Sequence, residues 1–325
     1  MTARFSKKDI KRAGERIATA PDLASPEDVE IVNYWREVHK HPLQRLFESA
    51  GSIPGGLVAG RIKKYDTIVD KLRRDGTPRN LATMYDIAGC RVVLDDMESF
   101  ENACSMAASL DGCNLDKSSN RDYIGSPRQS GYRCRHYIFK YEDDSLGWDL
   151  WAELQVRTAM QHAWATAVEM YDLATGRSRL KYDEKGTSAA RFFLAASKLI
   201  AAHEEGGADG AVSAIRGELE KAESEAHVIE VLDAACEASS IISEQAPLQT
   251  NEYVLVDLNT EEQYLSISGV PAQGAVDEYI SRERDGGCHN YVLVKASSID
   301  QIKRAYPNYF GDISAFTRFV GGFIG

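Results

Sequence analysis

The feature that most constrains the fold is one continuous passage from Trp148 to Leu173. WDLWAELQVRT alternates polar and apolar residues at period two, which is strand patterning. Thr158 then stands at an N-cap position. AMQHAWATAVEMYDL follows it, with Met160, Ala163, Trp164, Ala167 and Tyr171 on one helical face. Upstream, GYRCRHYIFKYED is a second strand-like run, joined to the first through the turn residues Asp143 to Gly147. A hairpin that feeds straight into an apolar-faced helix requires a sheet with helices laid against it. DIAGCRVVLDD adds another strand run and FENACSMAASLDG an amphipathic helix. The expected class is therefore α/β (α+β), a mixed β-sheet flanked by helices.

Residues 1–50 read as helices. DLASPEDVEIVNYWREVHKHP has a Ser-Pro start, acids in the first turn, and Ile31, Tyr34, Trp35 and Val38 at i, i+3, i+4, i+7. Pro42 is expected to break this helix and LQRLFESA to form the next. GSIPGG, Gly51 to Gly56, reads as a loop and a boundary. RIKKYDTIVDKLRR reads as a helix ended by Asp75-Gly76. Residues 187–245 read as helical, and between Ala201 and Thr250 eleven acids stand against only Arg216 and Lys221. EYVLVDLN, QYLSIS and NYVLVKAS read as strands, followed by a helix at SIDQIKRAY. The expected organisation is a helical segment (1–55), a central α/β domain (56–182), an acidic helical region (183–250) and a small α/β appendage (251–325).

The chain has 325 residues, of which 43% are hydrophobic and 27% charged, which suits about two globular domains and excludes collagen-like or bulk-disordered classes. Its N-terminus is charged, with no signal-peptide core, and no apolar run approaches the roughly 18 residues of a spanning helix, so a cytoplasmic protein without membrane contact is expected. Net charge is −11, yet Arg61–Arg91 holds eight Lys/Arg against four acids and Lys117–Lys140 six against one. Cationic patches on an acidic body suit a phosphate-bearing small molecule better than a long nucleic acid. The six cysteines form no C-x-x-C pair, so buried thiols rather than structural zinc are expected.

Four clusters carry candidate chemistry. Arg61, Lys64, Ile68 and Lys71 are spaced to share one helical face, which suits either a triphosphate or a solvated basic stripe. Asp86 sits at the mouth of the strand run IAGCRVV, as a magnesium ligand or a turn cap, with Arg91 on phosphate or paired to an acid. In RDYIGSPRQSGYRCRH, Pro127 and Gly131 fix a loop flanked by Arg121 and Arg128. Tyr132 follows, either as a base-stacking ring or as core. Glu153, Gln155 and Arg157 share one strand face, so the acid is a metal ligand, a general base or simply solvent-facing.

Taken together, the stretch from about Arg61 to Tyr171 resembles the synthetase domain of the RelA/SpoT family, including its small and toxic small alarmone synthetases. The resemblance rests on RIKKYDTIVDKL, YDIAGCRVV, RDYIGSPRQSGYRCRH and AELQVRTAMQHAWA, in the family's order. It implies a nucleotidyltransferase-like synthetase fold that transfers the β,γ-diphosphate of ATP to a ribose 3′-hydroxyl with Mg²⁺. Arg61, Lys63 and Lys71 match ATP-phosphate binders, with Lys64 and Arg91 grouped beside them. Asp86 matches the magnesium ligand, and Arg128 stands where the family usually has Lys. With Arg121 on the acceptor side, Tyr132 matches the ring that stacks on guanine and His136 the acceptor histidine. Glu153 matches the acid that binds metal or activates the hydroxyl, beside Gln155 and Arg157.

Three departures bear on the acceptor. Glu169 stands near a position where alarmone synthetases often carry His, and Cys134 and Arg135 replace smaller or apolar residues. QHAWATAVE is closer to relatives that act as toxins. The expected activity is a pyrophosphokinase using ATP and GDP or GTP. The alternatives are a toxin or phage-defence effector that modifies the tRNA 3′ end or makes adenosine alarmones, and an inactive nucleotide-binding module. No His is followed by Asp, so the family's hydrolase activity is not expected. The acidic segment is expected either to shield the acceptor side or to pack as a bundle that extends the core.

Overall fold

A computed structural model describes residues 4–21, 24–73, 80–143, 146–176, 180, 186–238, 242–245, 253–259, 264–271, 273–285, 289–296, 301–303 and 313–324. Three helices open the chain: α1 (Lys7–Thr19), α2 (Pro26–Val38) and α3 (Lys40–Ala50). Ser6 and Asp9 exchange a capping box at α1, and Ser25 Oγ caps α2 by accepting from Asp28 N at 3.1 Å. The break after α2 falls at His39. Pro42 lies in the first turn of α3, where a missing N–H removes no helical bond.

Among the described residues the sheet has ten strands: β1 (Leu57–Ile62), β2 (Ala88–Leu94), β3 (Asn114–Leu115), β4 (Arg121–Asp122), β5 (Arg135–Tyr141), β6 (Leu150–Thr158), β7 (Ile242–Gln245), β8 (Tyr253–Asn259), β9 (Tyr264–Val270) and β10 (His289–Lys295). Their order is β3-β5-β6-β2-β1-β10-β8-β9-β7, with β4 paired to β5. β2–β6 and β7–β9 are parallel and the other pairs antiparallel, so the sheet is mixed as expected. β5 and β6 form the expected hairpin, with His136 opposite Gln155 and Ile138 opposite Glu153.

Four expectations need correction. First, β1 was not anticipated. Arg61 lies on it opposite Gly89, and the helix α4 begins only at Tyr65 and runs to Arg73, so Arg61 and Lys64 do not share a helical stripe with Ile68 and Lys71. Gly60 hides the strand: a Cβ there would stand 2.8 Å from Phe47 Cδ2, so close packing on α3 demands a residue that weakens strand patterning. Second, the strands after residue 251 form no appendage, because β10 pairs with β1 in the register Val58↔Lys295 and continues the same sheet. Third, the run 187–245 is helical only to Ala238, and Ile242–Gln245 is a strand. Fourth, helix α6 (Ala159–Ala174) is buried over nearly its whole circumference, not along one stripe.

That burial follows from the acidic region's apolar faces. Helices α7 (Ser188–Glu205) and α9 (Val228–Ala238) pack on α6, with α8 (Asp209–Ala226) seated on α7 and α11 (Ser314–Gly321) added from beyond that region, burying Trp164, Phe193, Leu219, Leu232 and Phe316 in one cluster. A second core lies under α1–α3, α5 (Met97–Ala107) and α10 (Ala275–Asp285) on one sheet face, around Trp35, Phe47, Phe100 and Tyr279. A third covers the opposite face of β1, β8, β9 and β10. The Asp75-Gly76 helix end and most of SIDQIKRAY lie outside the described residues, as do the boundaries at 182/183 and 250/251. Residues 301–303 of SIDQIKRAY are helical. Among the described residues, no helix is long and apolar enough to cross a membrane. The five described cysteines are free.

Candidate functional site

The parallel pair β2–β6 and the hairpin partner β5 set the floor of an open cleft of about 320 Å³. Period two sends Glu153, Gln155 and Arg157 to the same face of β6, as the sequence predicted. From the β1 side come Arg61 and Lys63, with Lys71 from α4 and Asp86 from the turn before β2. From the loop between β4 and β5 come Arg128 and Tyr132, with Arg121 on β4 and His136 on β5. Arg91 completes the predicted set. Lys64 does not: its Nζ donates to His289 O at 3.3 Å, and the residue does not line the cleft.

Two electrostatic units divide the floor. In one, Asp86 accepts from Lys63 Nζ at 2.9 Å and from Lys71 Nζ at 2.5 Å. Burial pushes the Asp86 carboxyl up, but the two ammonium groups outweigh it and hold the acid well below the usual carboxylate range. Burial lowers Lys63 to about 8, a shift only partly offset by Asp86. A lysine so easily neutralised gains from a second anion beside it, which is the situation a bound polyphosphate would create.

In the other unit, five side chains close a hydrogen-bonded ring. His136 Nδ1 lies 2.8 Å from Glu153 Oε1 and its Nε2 2.9 Å from Tyr132 Oη. Arg157 Nη2 donates to Tyr132 Oη at 3.1 Å and also to Gln155 Oε1. Gln155 Nε2 closes the circuit on Glu153 Oε2 at 2.7 Å. Burial alone would lower His136, but the Glu153 carboxylate raises it well above its ordinary value. His136 is thus an imidazolium that donates to both neighbours. Arg157 is 3% exposed, and its buried Nε has no hydrogen-bond partner among the described residues.

Asp86 and Glu153 line the same cleft and repel one another electrostatically. Among the described residues no group of three or more His, Cys, Asp or Glu could hold a metal ion. Two carboxylates nevertheless suit Mg²⁺, which commonly takes one or two of them and fills its octahedron with substrate phosphates and water.

Sequence reasoning missed several lining residues. Tyr123 sits inside RDYIGSPRQSGYRCRH and takes Arg128 over its ring, with the guanidinium 4.7 Å from the centroid and Nη2 donating to its hydroxyl at 2.9 Å. Tyr85, Ser119 and Thr67 also line the cleft. Nothing in their spacing distinguishes them from ordinary surface residues. Glu169, noted only as a departure, is exposed in the middle of α6 and lines the cleft, where it acts electrostatically on Arg157.

Residues 60–173 match the family profile described as the region found in RelA / SpoT proteins. The GTP pyrophosphokinase YjbM of Bacillus subtilis (strain 168) is 32% identical over 117 residues, covering 35% of this chain and 54% of that protein. The GTP pyrophosphokinase YwaC of the same organism is 29% identical over 112 residues, covering 33% and 52%. The chain thus spans about half the length of these curated relatives. Among solved structures, small alarmone synthetase 1 from Bacillus subtilis bound to its product pppGpp is similar at 25% identity and a TM-score of 0.42, covering 56% of this chain and 94% of that one.

Proposed function

We propose that this chain, which carries the RelA/SpoT region at residues 60–173, transfers the β,γ-diphosphate of ATP to the ribose 3′-hydroxyl of GDP or GTP. One observation carries the reading. A single cleft joins a lysine-and-arginine unit around Asp86 to an aromatic-and-cationic unit around Tyr132, with Glu153 at the junction. Two relatives bear the name GTP pyrophosphokinase, which supports the same chemistry.

In this mechanism Arg61, Lys63, Lys71 and Arg91 hold the donor phosphates and offset the charge that builds on the phosphoryl oxygens. Arg121 and Arg128 hold the acceptor's phosphates, and Tyr132 offers its ring to the acceptor base. Asp86 and Glu153 would hold Mg²⁺, which supplies charge neutralisation at the transferred group. Glu153 also orients the attacking hydroxyl by accepting a hydrogen bond from it. As the new O–P bond to the β-phosphorus forms, the bond from the α,β-bridging oxygen to the β-phosphorus breaks, AMP leaves and the hydroxyl proton passes to solvent. The ionised form of Glu153 is maintained by His136 and Gln155. Positioning and preorganised charge dominate such a reaction, and the ring through His136 and Arg157 provides that order without a disordered water shell.

The test is acceptor labelling. The full chain is incubated with γ-³²P-ATP, Mg²⁺ and, separately, GDP, GTP, AMP and bulk tRNA. Label moving to GDP or GTP, and lost in Glu153→Gln, is the expected result. Label on tRNA or AMP instead would redirect the proposal to those acceptors. No transfer to any of them would leave a nucleotide-binding module.

A further inference from the structure

Helix α7 lies wholly outside the RelA/SpoT region, yet one of its faces is in polar contact with two separate parts of the acceptor half of the cleft. Ser197 Oγ donates to Gly131 O at 2.5 Å in a buried contact. Gly131 adopts φ +94°, in the left-handed region. A Cβ on it would stand 2.9 Å from Ser197 Cβ and 3.4 Å from Leu194 Cα, so loop and helix meet at their backbones. Gly131 immediately precedes Tyr132, so the carbonyl that Ser197 holds belongs to the peptide that aims the Tyr132 ring. Arg128 N donates to Tyr132 O at 3.2 Å and Gly131 N to Arg128 O at 2.9 Å, which closes the turn around that peptide.

Seven residues along α7, on the same face, Glu204 accepts from Thr158 Oγ1 and from Gln161 Nε2, the latter at 3.1 Å. These are the two capping-box residues of α6, at the point where β6 ends one residue after Arg157. The helix therefore grips the chain beside Tyr132 and beside Arg157, the two ring members that meet each other at 3.1 Å.

We infer that α7 sets the acceptor half of the site, with Ser197 and Glu204 as positioning residues for Tyr132 and Arg157. Neither side chain lines the cleft. The inference rests on the proposed transfer reading only for which substrate responds. The arrangement predicts a selective effect. Loosening α7 lets the Tyr132 loop and the β6–α6 junction drift apart, while the Lys63–Asp86–Lys71 unit, built on other elements, keeps its geometry.

The test uses Ser197→Ala and Glu204→Ala in the full chain. Two readouts are taken: acceptor and ATP KM with kcat, and hydrogen exchange of the backbone at residues 126–134 and 80–90. The expected result is a rise of about five- to tenfold in acceptor KM, the scale of one lost buried hydrogen bond. ATP KM stays within about twofold on the same scale, and exchange quickens at 126–134 but not at 80–90. Glu204→Gln, which keeps one acceptor, recovers part of the acceptor KM. Equal loss for both substrates, or unchanged exchange at 126–134 in both alanine variants, overturns the inference. If the wild type transfers to no acceptor, the proposed reaction fails, and the exchange comparison still decides whether α7 sets the loop. If Glu204→Ala does not fold, Ser197→Ala alone carries the comparison.

Discussion

His136 and Glu153 stand on paired strands, two positions off direct register, and their side chains meet at 2.8 Å. Each stabilises the charged form of the other. Burial raises Glu153, but the imidazolium brings it well below its ordinary value. A carboxylate held so firmly ionised is a weak base and a strong hydrogen-bond acceptor. Its natural contribution is to hold a cation or orient a hydroxyl rather than to remove a proton outright.

Tyr132 is tied into the same ring through its hydroxyl, which accepts from both His136 and Arg157. Tyr132→Ala is expected to raise acceptor KM by about tenfold or more, the scale of a lost base-stacking contact, and to leave ATP KM nearly unchanged. Tyr132→Phe keeps the ring but removes the oxygen that His136 and Arg157 both donate to. It is expected to keep acceptor KM within a few-fold and to lower kcat by about tenfold, as two buried donors lose their acceptor. Steady-state kinetics on both substrates separates the variants. A Tyr132→Phe enzyme indistinguishable from wild type would remove the ring from the mechanism.

Asp86 accepts from two lysines, one of them largely buried, so Asp86→Asn leaves Lys63 and Lys71 facing each other without a counter-charge. The variant should lose about 2 kcal/mol of stability, below the range for fully buried pairs because both partners retain some exposure. It should also need more Mg²⁺ for half-maximal rate. Urea melts and a Mg²⁺ titration check the two halves. Full stability together with wild-type Mg²⁺ dependence would leave Asp86 as a turn residue only.

The residues of the site were legible where local pattern encodes geometry. Period two in ELQVR put Glu153, Gln155 and Arg157 on one face, and Thr158 announced the helix start. Tyr132 stood out because a Pro/Gly loop leads directly into it, whereas His136 entered only through the family resemblance. Other features are set by partners distant in sequence. β10 read correctly as a strand, but its pairing with β1 joins residues more than two hundred positions apart, and no local signal specifies it. Lys64 was read onto one helical face with Lys71, yet the break between β1 and α4 turns it toward His289. Arg61 was assigned to a helix because Gly60, needed for contact with Phe47, interrupts the strand pattern.

His39 offers a pH test independent of the cleft. Its ring is fully buried, with Nδ1 donating to Trp35 O at 2.7 Å, and burial lowers its pKa from 6.5 to about 4. Between those values the unfolded chain binds the proton and the folded chain does not, so stability falls as pH drops through this window. The loss reaches about 3 kcal/mol at its lower end. His39→Phe keeps an aromatic ring against Trp35 and removes the titration. The gap between wild-type and variant unfolding free energies, measured by urea melts from pH 7 to 4, should shift in the variant's favour by that amount. Parallel curves would mean that the ring is protonated in the folded state or exposed on a local opening.

Removing everything after Tyr182 distinguishes a detachable acidic cover from a structural bundle. A cover predicts a soluble fragment that works faster than the full chain at low salt, with the difference shrinking as salt rises. The structure favours the bundle. Trp164, Val168 and Tyr171 of α6 are buried against Phe192, Phe193, Leu199 and Phe316, all beyond the cut. β1 would lose β10 and become an open edge in a sheet that continues through it, a template for aggregation. Ser197 and Glu204 would be lost as well, releasing the Tyr132 loop and the cap of α6. The expected outcome is a fragment that is largely insoluble or melts without a cooperative transition, with no salt-dependent gain in rate. A monomeric, cooperatively folding fragment that outpaces the full chain at low salt would show that α7–α11 restrain the enzyme rather than complete it.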